Sequence, residues 1–297
     1  MSWMTLQLTS MLLLSANSIV DKRLVRDHAL SPVVYLASFA AVGLVVFIIG
    51  VWNVPWMGLK AVGLGLMSGV LLSGAVILYY QAMSLEDVSR IIPMLRLSEV
   101  LKLILLAVLL DDQLSWLQYA ASVFMLVGAS TLVRKTGQKQ TAFRSKWTLN
   151  RGLALIGFVA VLLAFSGVID SHLNLEYSPW VLLVWSQAGT FLGFCLALLF
   201  RSQRVEFRES MAVISSTLCW TIVGQQVLRL GIGLLSQFAV NQAGSAAITS
   251  VFGGVRPLLV LVMAMIFLGE GLERTEVIPK LTGIGLMGVG TALLFLG

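Results

Sequence analysis

Three charged residues stand in the middle of an apolar stretch that is long enough to cross a membrane. Residues 88–110 contain Arg96, Glu99 and Lys102 among Ile, Leu, Val, Met and Ala. About 20 apolar residues span the roughly 30 Å of hydrocarbon in a bilayer, and residues three apart lie on neighbouring positions of one helical face. The spacing therefore predicts one transmembrane helix with a narrow charged stripe.

A charge at the centre of a bilayer costs about 2.5–3.5 kcal/mol on insertion scales, so three charges need partners or water. We therefore expect the stripe to face a cavity around which the other helices are arranged. There Arg96, Glu99 and Lys102 could form a substrate and coupling site. The alternative is an internal salt-bridge stripe that only fixes this helix to its neighbours.

The composition indicates a polytopic membrane protein without a soluble domain. Of the 297 residues, 58% are hydrophobic and 11% are charged, whereas soluble domains have about 25% charged residues. Cys195 and Cys219 lie in apolar runs, and His28 and His172 are too scattered for a metal centre, so we expect no cofactor and no metal. The net charge of +6 fits basic loops that stay inside the cell, and no nucleic-acid partner is expected.

Ten apolar stretches predict ten transmembrane helices, with one long basic linker at residues 134–151 between the fifth and the sixth. Gly65, Gly69 and Ser73 in the third span are spaced four apart, which predicts a face for close helix contact. The predicted spans are residues 3–20, 33–51, 61–83, 88–110, 116–133, 152–169, 179–200, a segment within 211–242, 245–268 and 277–295.

The second half of the chain repeats the first. Each half has five spans, an odd number, so the halves must face opposite ways, as in secondary transporters built from inverted repeats. The predicted fold is an all-α membrane protein with ten transmembrane helices in two inverted five-helix repeats, residues 1–133 and 152–297. The matching segments are Ile19-Val20-Asp21 with Val168-Ile169-Asp170, Ser31-Pro32 with Ser178-Pro179, Leu110-Asp111-Asp112 with Leu268-Gly269-Glu270, and Met125-Leu126-Val127-Gly128 with Met287-Gly288-Val289-Gly290.

Lysine and arginine are unevenly divided between the two sides of the predicted helices. Nearly all the basic residues in loops, including those of the linker 134–151, follow odd-numbered spans, and the opposite side has only Lys60. Cytoplasmic loops carry an excess of Lys and Arg. We therefore expect the linker in the cytoplasm and both termini outside, in a multi-pass protein of the inner (cytoplasmic) membrane.

The order of the motifs resembles the EamA branch of the drug/metabolite transporter superfamily. In that family a Tyr-Tyr-x-Ala-like end of the third span precedes a Pro-bearing fourth span, a Leu-Gly-Glu-like stop and a Gly-rich fifth span, all given twice. The corresponding segments here are Tyr79-Tyr80-Gln81-Ala82, Pro93, Leu110-Asp111-Asp112 and Leu126-Val127-Gly128, then residues 238–243, Arg256-Pro257, Leu268-Gly269-Glu270 and residues 287–290.

The resemblance implies ten helices, a central cavity between the two halves, and alternating access by rocking. Characterised members usually keep both termini in the cytoplasm, whereas the charge distribution here predicts the opposite orientation. Arg96, Glu99 and Lys102 are not part of the general family motif, so the resemblance does not give their role.

Two further arginines are candidate site residues. Arg256 occupies the repeat position that matches Ser98, so the half-turn symmetry would bring it to the same cavity beside Pro257. The alternative is that Arg256 only pairs with Glu99. Arg229 in the eighth span is either central or extends to an interface.

Several uncharged polar residues could line the same cavity. Asn17 lies in the first span, and Tyr79, Tyr80 and Gln81 end the third. These side chains could form hydrogen-bonding walls, or they could only join helices. Asp21 and Asp170 occupy matching repeat positions near span ends, and we interpret them as caps or charge anchors rather than proton carriers.

The predicted function is secondary transport of a small polar, anionic or carboxylate-bearing metabolite. Within the predicted spans the basic residues Arg96, Lys102, Arg229 and Arg256 outnumber the single acid Glu99. Arginine can hold a carboxylate bidentately, and Glu99 could exchange a proton as the cavity opens and closes. If so, Glu99→Gln would abolish pH-driven transport and leave substrate binding.

The alternative is a flippase for a charged lipid-linked headgroup, which would need a lateral opening between helices. An enzyme is not expected, because the sequence has no His-Glu-x-x-His, no phosphate-cradling Gly-Lys-Ser/Thr loop and no Gly-x-Ser-x-Gly elbow. The expected partners are a small-molecule substrate and the lipid bilayer. The sequence leaves substrate identity, direction, coupling ion and oligomeric state open.

Overall fold

The computed structural model describes residues 3–28, 31–109, 116–133, 145–174, 176–243, 255–268 and 274–296. Over these ranges the chain forms helices and no β-strand. A single 3-10 turn, Val51–Asn53, follows the second helix. In chain order the α-helices are α1 (Trp3–His28), α2 (Pro32–Gly50), α3 (Leu59–Leu85), α4 (Val88–Met94), α5 (Leu97–Leu109), α6 (Trp116–Val133), α7 (Ser145–Asn174), α8 (Pro179–Ala197), α9 (Arg201–Val213), α10 (Ser216–Ala243), α11 (Val255–Leu268) and α12 (Arg274–Leu296).

Within the described ranges, six helices contain segments long and apolar enough to cross a bilayer. Shorter apolar segments lie in α11 and α12. The protein is therefore an all-α, multi-pass membrane protein, as the composition predicts. The six segments are Trp3–Asp27, Pro32–Asn53, Leu59–Leu85, Arg151–Asn174, Pro179–Ala197 and Ser216–Ser236.

Proline sets the first residue of two spans. Pro32 begins α2 and Pro179 begins α8, where the missing N–H costs nothing because that group has no partner in the first helical turn. Ser31 caps α2, since its hydroxyl accepts a hydrogen bond from the backbone N–H of Val33 at 3.3 Å. Both helices begin within a residue of the predicted positions.

The prediction of one continuous fourth span is wrong. α4 ends one residue after Pro93, a turn follows at residues 95–96, and α5 begins at Leu97. Across the turn the backbone N–H groups of Ser98 and Glu99 donate to carbonyls three residues earlier, at 3.1 and 3.0 Å, which is 3-10 spacing. Pro93 has no N–H to donate to the carbonyl of residue 89, and its ring crowds that preceding turn, so the helix is weakened directly before this break.

The predicted end of the first span is also wrong. α1 does not end near Val20 but continues to His28, so Asp21 lies inside the helix. The eighth span, predicted to lie somewhere within residues 211–242, corresponds to α10, which begins at Ser216 after α9 ends at Val213. α9 is largely polar and exposed, which explains why the apolar pattern alone does not locate the start of the eighth span.

The predicted small-residue face of α3 is confirmed. A Cβ atom at Gly69 would collide with the backbone of α8, and one at Gly65 would lie 3.1 Å from the Cβ of Trp185. The hydroxyl of Ser73 donates to the carbonyl of Thr190 at 3.0 Å. The missing side chains therefore let α3 and α8 approach at backbone distance.

The antiparallel pair α3 and α7 defines two sides of the helix assembly. The side chain of Glu86, at the end of α3, lies against Gly152 near the start of α7. Further along, the hydroxyls of Ser68 in α3 and Ser166 in α7 are 2.8 Å apart. We call the first end the linker side, because α7 follows the linker, and the other the far side. On the linker side Lys22 of α1 donates to two carbonyls at the end of α3, at 2.7 and 2.8 Å.

Candidate substrate site

A buried carboxylate joins three helices near the linker side. The side chain of Asp21 in α1 is fully buried and forms an ion pair with Arg229 of α10. It also accepts hydrogen bonds from the hydroxyl of Tyr80 in α3 at 2.7 Å and from the amide nitrogen of Gln225 in α10 at 2.6 Å. We call Asp21, Tyr80, Gln225 and Arg229 the linker-side layer.

Aromatic rings extend this layer. Tyr80 stacks on Tyr35 of α2 with ring centroids 4.2 Å apart and planes inclined by 12°, and Tyr79 meets it edge-on at 5.3 Å. The guanidinium carbon of Arg229 lies 5.8 Å from the centroid of the Tyr80 ring, within the range of a cation–π contact. Arg229 is therefore a central residue and does not extend to an interface.

A central cavity of about 150 Å³ adjoins the linker-side layer. Its polar lining comes from Ser18, Tyr79, Arg229 and Arg256, and the rest is aliphatic. Arg256 donates from Nη2 to the hydroxyl of Ser18 at 3.1 Å, while its Nε has no hydrogen-bond partner among the described residues. The cavity thus combines a cationic donor with an apolar wall.

Asn17 lies in the protein interior beside the same layer. Its side chain is 2% exposed, and neither its amide nitrogen nor its amide oxygen has a hydrogen-bond partner within the described ranges. Only its backbone carbonyl takes part, accepting from Gln225 at 3.4 Å. A buried amide without partners is costly, so Asn17 is available to bond water or a bound molecule.

A second cavity of about 630 Å³ lies on the linker side of the layer. Tyr80 lines this cavity and the adjacent Tyr79 lines the central one. Its charged groups are Lys22 and Arg26 of α1 with Glu206 and Glu209 of α9. The linker-side layer therefore separates the two cavities.

The predicted charged stripe divides into two parts. Arg96 lies in the turn before α5, where it is attracted by the carboxylate of Glu99 and repelled by the guanidinium of Arg256. Lys102 lies further along α5, where its Cδ would be 3.2 Å from a Cβ at Gly167 of α7. The structure thus brings Arg96, Glu99 and Arg256 together and places Lys102 against a different helix. Gln81 is half-buried and lines neither cavity.

A polar cluster lies on the far side of the central cavity. The hydroxyl of Ser68 donates to Oδ1 of Asp170 at 2.7 Å and is 2.8 Å from the hydroxyl of Ser166, while Lys102 attracts the same carboxylate electrostatically. We call these four residues the far-side layer. Residues 72 and 163, about one helical turn from the two serines, line the central cavity, so the far-side layer lies about one turn beyond it.

Sequence reasoning missed Asp21 as a site residue. The available signal is that Asp21 and Asp170 occupy matching positions in two apolar helices. That signal is obscured because the hydropathy of the first span falls at Lys22 and suggests a helix end. The repeat pair Leu110-Asp111-Asp112 and Leu268-Gly269-Glu270, and most of the linker, lie largely outside the described residues. Within the described ranges, no three His, Cys, Asp or Glu side chains cluster as metal ligands.

Comparison with solved structures supports the fold. Among 23 matching chains, one crystal structure of a protein superposes with a TM-score of 0.59 over 98% of this chain and 96% of its own, at 15% identity. No curated protein matches the sequence. The model of the EamA-like transporter family matches residues 1–134, which is the first of the two halves of the chain.

Proposed function

We propose that the protein is a secondary transporter that carries a small anionic or carboxylate-bearing metabolite through the central cavity by alternating access. The observation that carries this proposal is Arg256, a cavity-lining guanidinium whose described hydrogen bond goes to a neutral hydroxyl, that of Ser18. The match to a transporter family supports transport rather than catalysis, and the proposal includes no chemical step.

The charges around the cavity favour an anion. Arg229 is balanced by the carboxylate of Asp21, and Arg96 is attracted by Glu99. Arg256 makes no ion pair with the described residues, so one positive charge is left for a ligand. A guanidinium binds a carboxylate through two parallel hydrogen bonds, and desolvation by the aliphatic cavity wall would strengthen them.

The helix contacts support an arrangement in two inverted repeats. Exchanging the halves replaces α1 by α7, α3 by α10 and α5 by α11. α1 packs on α10 and α11, and α7 packs on α3 and α5, as this exchange requires. α2 with α8 and α6 with α12 pair across the two halves.

The residues that bond the two repeat-related aspartates also fit the repeat. Asp21 and Asp170 hold matching positions, and their partners Arg229 and Ser68 lie on the matching helices α10 and α3. Ser68 precedes Gln81-Ala82 by the same number of residues as Arg229 precedes Gln242-Ala243, and each Gln-Ala pair ends its motif. Such repeats carry substrate near their interface and expose it alternately by rocking.

Rocking needs closures on both sides of the substrate. The linker-side layer stands between the central cavity and the linker-side cavity, and the far-side layer lies beyond the opposite end. In the proposed cycle one layer separates while the other stays joined. We propose the orientation that the basic loops favour, with the linker in the cytoplasm and the termini outside, in the inner membrane.

Thermal stabilisation of the purified protein by panels of anionic, zwitterionic and cationic metabolites tests this function. We expect anions to raise the melting temperature, and Arg256→Gln to abolish the rise. Arg204→Gln is the matched control, since Arg204 is exposed on α9, and it should keep the rise. No anion effect, or an effect that survives Arg256→Gln, would contradict the proposal. A response only to lipid-linked anions would favour the flippase alternative.

A further inference from the structure

We infer that Asp170 is the proton-binding residue of this protein, held by Ser68, Ser166 and Lys102 in the far-side layer. The sequence pattern favours Glu99 for this role, and from it we interpret Asp170 as a cap or charge anchor. The side-chain contacts of the two repeat-related aspartates lead to a different assignment.

The partners of Asp170 suit both of its protonation states. Ser68 donates its hydroxyl hydrogen to Oδ1 at 2.7 Å, and the hydroxyl of Ser166 lies 2.8 Å from that of Ser68. A serine hydroxyl has one donor hydrogen and two acceptor lone pairs. When Asp170 takes up a proton, Ser68 can rotate its hydrogen toward the hydroxyl oxygen of Ser166 and accept from the new O–H. No buried hydrogen bond is lost.

Two of the three side-chain partners of Asp21 suit only the ionised carboxylate, whereas the third, the hydroxyl of Tyr80, can also accept a hydrogen bond. Arg229 and the amide nitrogen of Gln225 are donors without an acceptor lone pair, and both are directed at Asp21. A proton on Asp21 would face these donors and would leave Arg229 without its counter-charge. The repeat thus gives one aspartate fixed in its charged state and one, with serine in place of the arginine, that can exchange a proton.

The charged surroundings of Asp170 are simple. α5 contributes Lys102, which attracts the carboxylate. α3 contributes the uncharged Ser68, and its Lys60 lies about two turns from Ser68. On α7 itself His172 stands two residues after Asp170, and residues two apart do not face each other on a helix. α8 has no charged residue, and Arg90 of α4 is paired with Glu86 at the linker side, 3.7 Å apart. Lys102 is therefore the cation that loses its attracting negative charge when Asp170 is neutralised.

This response couples the proton to the substrate site. A proton moves from water to a carboxylate oxygen of Asp170, which becomes a neutral carboxylic acid, and Lys102 loses its counter-charge. The positive potential about one turn away in the central cavity increases, so an anion binds more tightly. By reciprocity a bound anion favours the protonated aspartate by the same factor, which is the linkage required for proton–anion symport. The symport role rests on the transport function proposed above, whereas proton binding does not.

Infrared spectra of the purified full-length protein, titrated with acid and without any substrate, test the proton site. In the wild type we expect a carboxylic-acid carbonyl band that grows as the pH falls, in addition to the band from exposed acids. Asp170→Asn should remove the additional band. Asp21→Asn, the repeat-matched control, and Glu99→Gln should both retain it.

Ser68→Ala gives a second readout that keeps the carboxyl group. Losing one hydrogen bond should shift the frequency of the additional band, and this test stands even if Asp170→Asn cannot be purified. Identical spectra for wild type and Asp170→Asn, a band lost in Glu99→Gln instead, or a band unmoved by Ser68→Ala would each overturn the assignment. Because no substrate is present, these outcomes do not depend on whether the protein transports an anion.

Discussion

Replacing Arg229 by glutamine would leave a buried carboxylate without its cation. The side chain of Asp21 is 0% exposed and that of Arg229 is 20% exposed. Removing one partner of a buried ion pair costs about 3–5 kcal/mol, because the other charge stays buried. Tyr80 and Gln225 still donate to the carboxylate, so we expect the lower end. The free energy of unfolding should fall by about 3 kcal/mol, or about 100-fold in the unfolding equilibrium.

Equilibrium unfolding in mixed detergent micelles, followed by tryptophan fluorescence, measures this change. Arg23→Gln, on the helix that carries Asp21, is the control, because Arg23 and Asp27 form an ion pair at 3.8 Å with side chains 66% and 44% exposed. Exposed pairs contribute less than about 1 kcal/mol. The double variant Asp21→Asn with Arg229→Gln should recover much of the loss, since neither buried charge remains.

Two outcomes would refute this reasoning. One is a loss for Arg229→Gln that is no larger than the loss for Arg23→Gln. The other is a double variant whose loss equals the sum of the two single losses, which would mean that Asp21 and Arg229 are not coupled. Either result would remove the linker-side layer as a stable closure between the two cavities.

The remaining predictions concern packing and topology. Gly69→Leu should destabilise the protein by about 3 kcal/mol, because the new side chain would meet the backbone of α8, which cannot move aside as a flexible side chain could. Gly63→Leu on the same helix should be nearly neutral in the same unfolding assay, because a Cβ atom there meets open space. In a variant without native cysteines, Ser145→Cys should react with a membrane-impermeant maleimide only after the cells are permeabilised. Lys60→Cys in the same background should react in intact cells. The reverse pattern would contradict the proposed orientation.

The elements that hydropathy and proline define were predictable from the sequence. The starts of α2 and α8 follow from Pro32 and Pro179, and the close contact of α3 with α8 follows from the spacing of Gly65 and Gly69. These features depend on residues near one another in the chain, so a sequence pattern contains them.

The pairing of the buried charges was not predictable in the same way. Asp21 and Arg229 are separated by 208 positions, and no local pattern relates them. The charges at Lys22 and Arg23 also make the first span look as if it ends at Asp21, although Lys22 is satisfied by carbonyls of α3. The tertiary contacts therefore extend α1 beyond the limit that hydropathy suggests.

The break in the fourth span lies close to a proline. Pro93 stands three residues before Arg96, and a proline inside a helix removes one hydrogen bond and crowds the preceding turn. Once the helix breaks, Arg96 and Lys102 need not share a face. Arg96 joins Glu99 and Arg256, and Lys102 joins Asp170.

Solute counterflow in proteoliposomes tests the central claim, which is that the cavity carries an anion bound by Arg256. A radiolabelled anion from the stabilising panel should accumulate in vesicles preloaded with the same unlabelled anion. Hydrogen bonds to charged groups contribute about 1.5–3 kcal/mol, so Arg256→Gln should weaken apparent affinity about 10- to 100-fold, while Arg204→Gln should match the wild type. Accumulation that is unchanged in Arg256→Gln, or no accumulation of any anion by the wild type, would contradict the account.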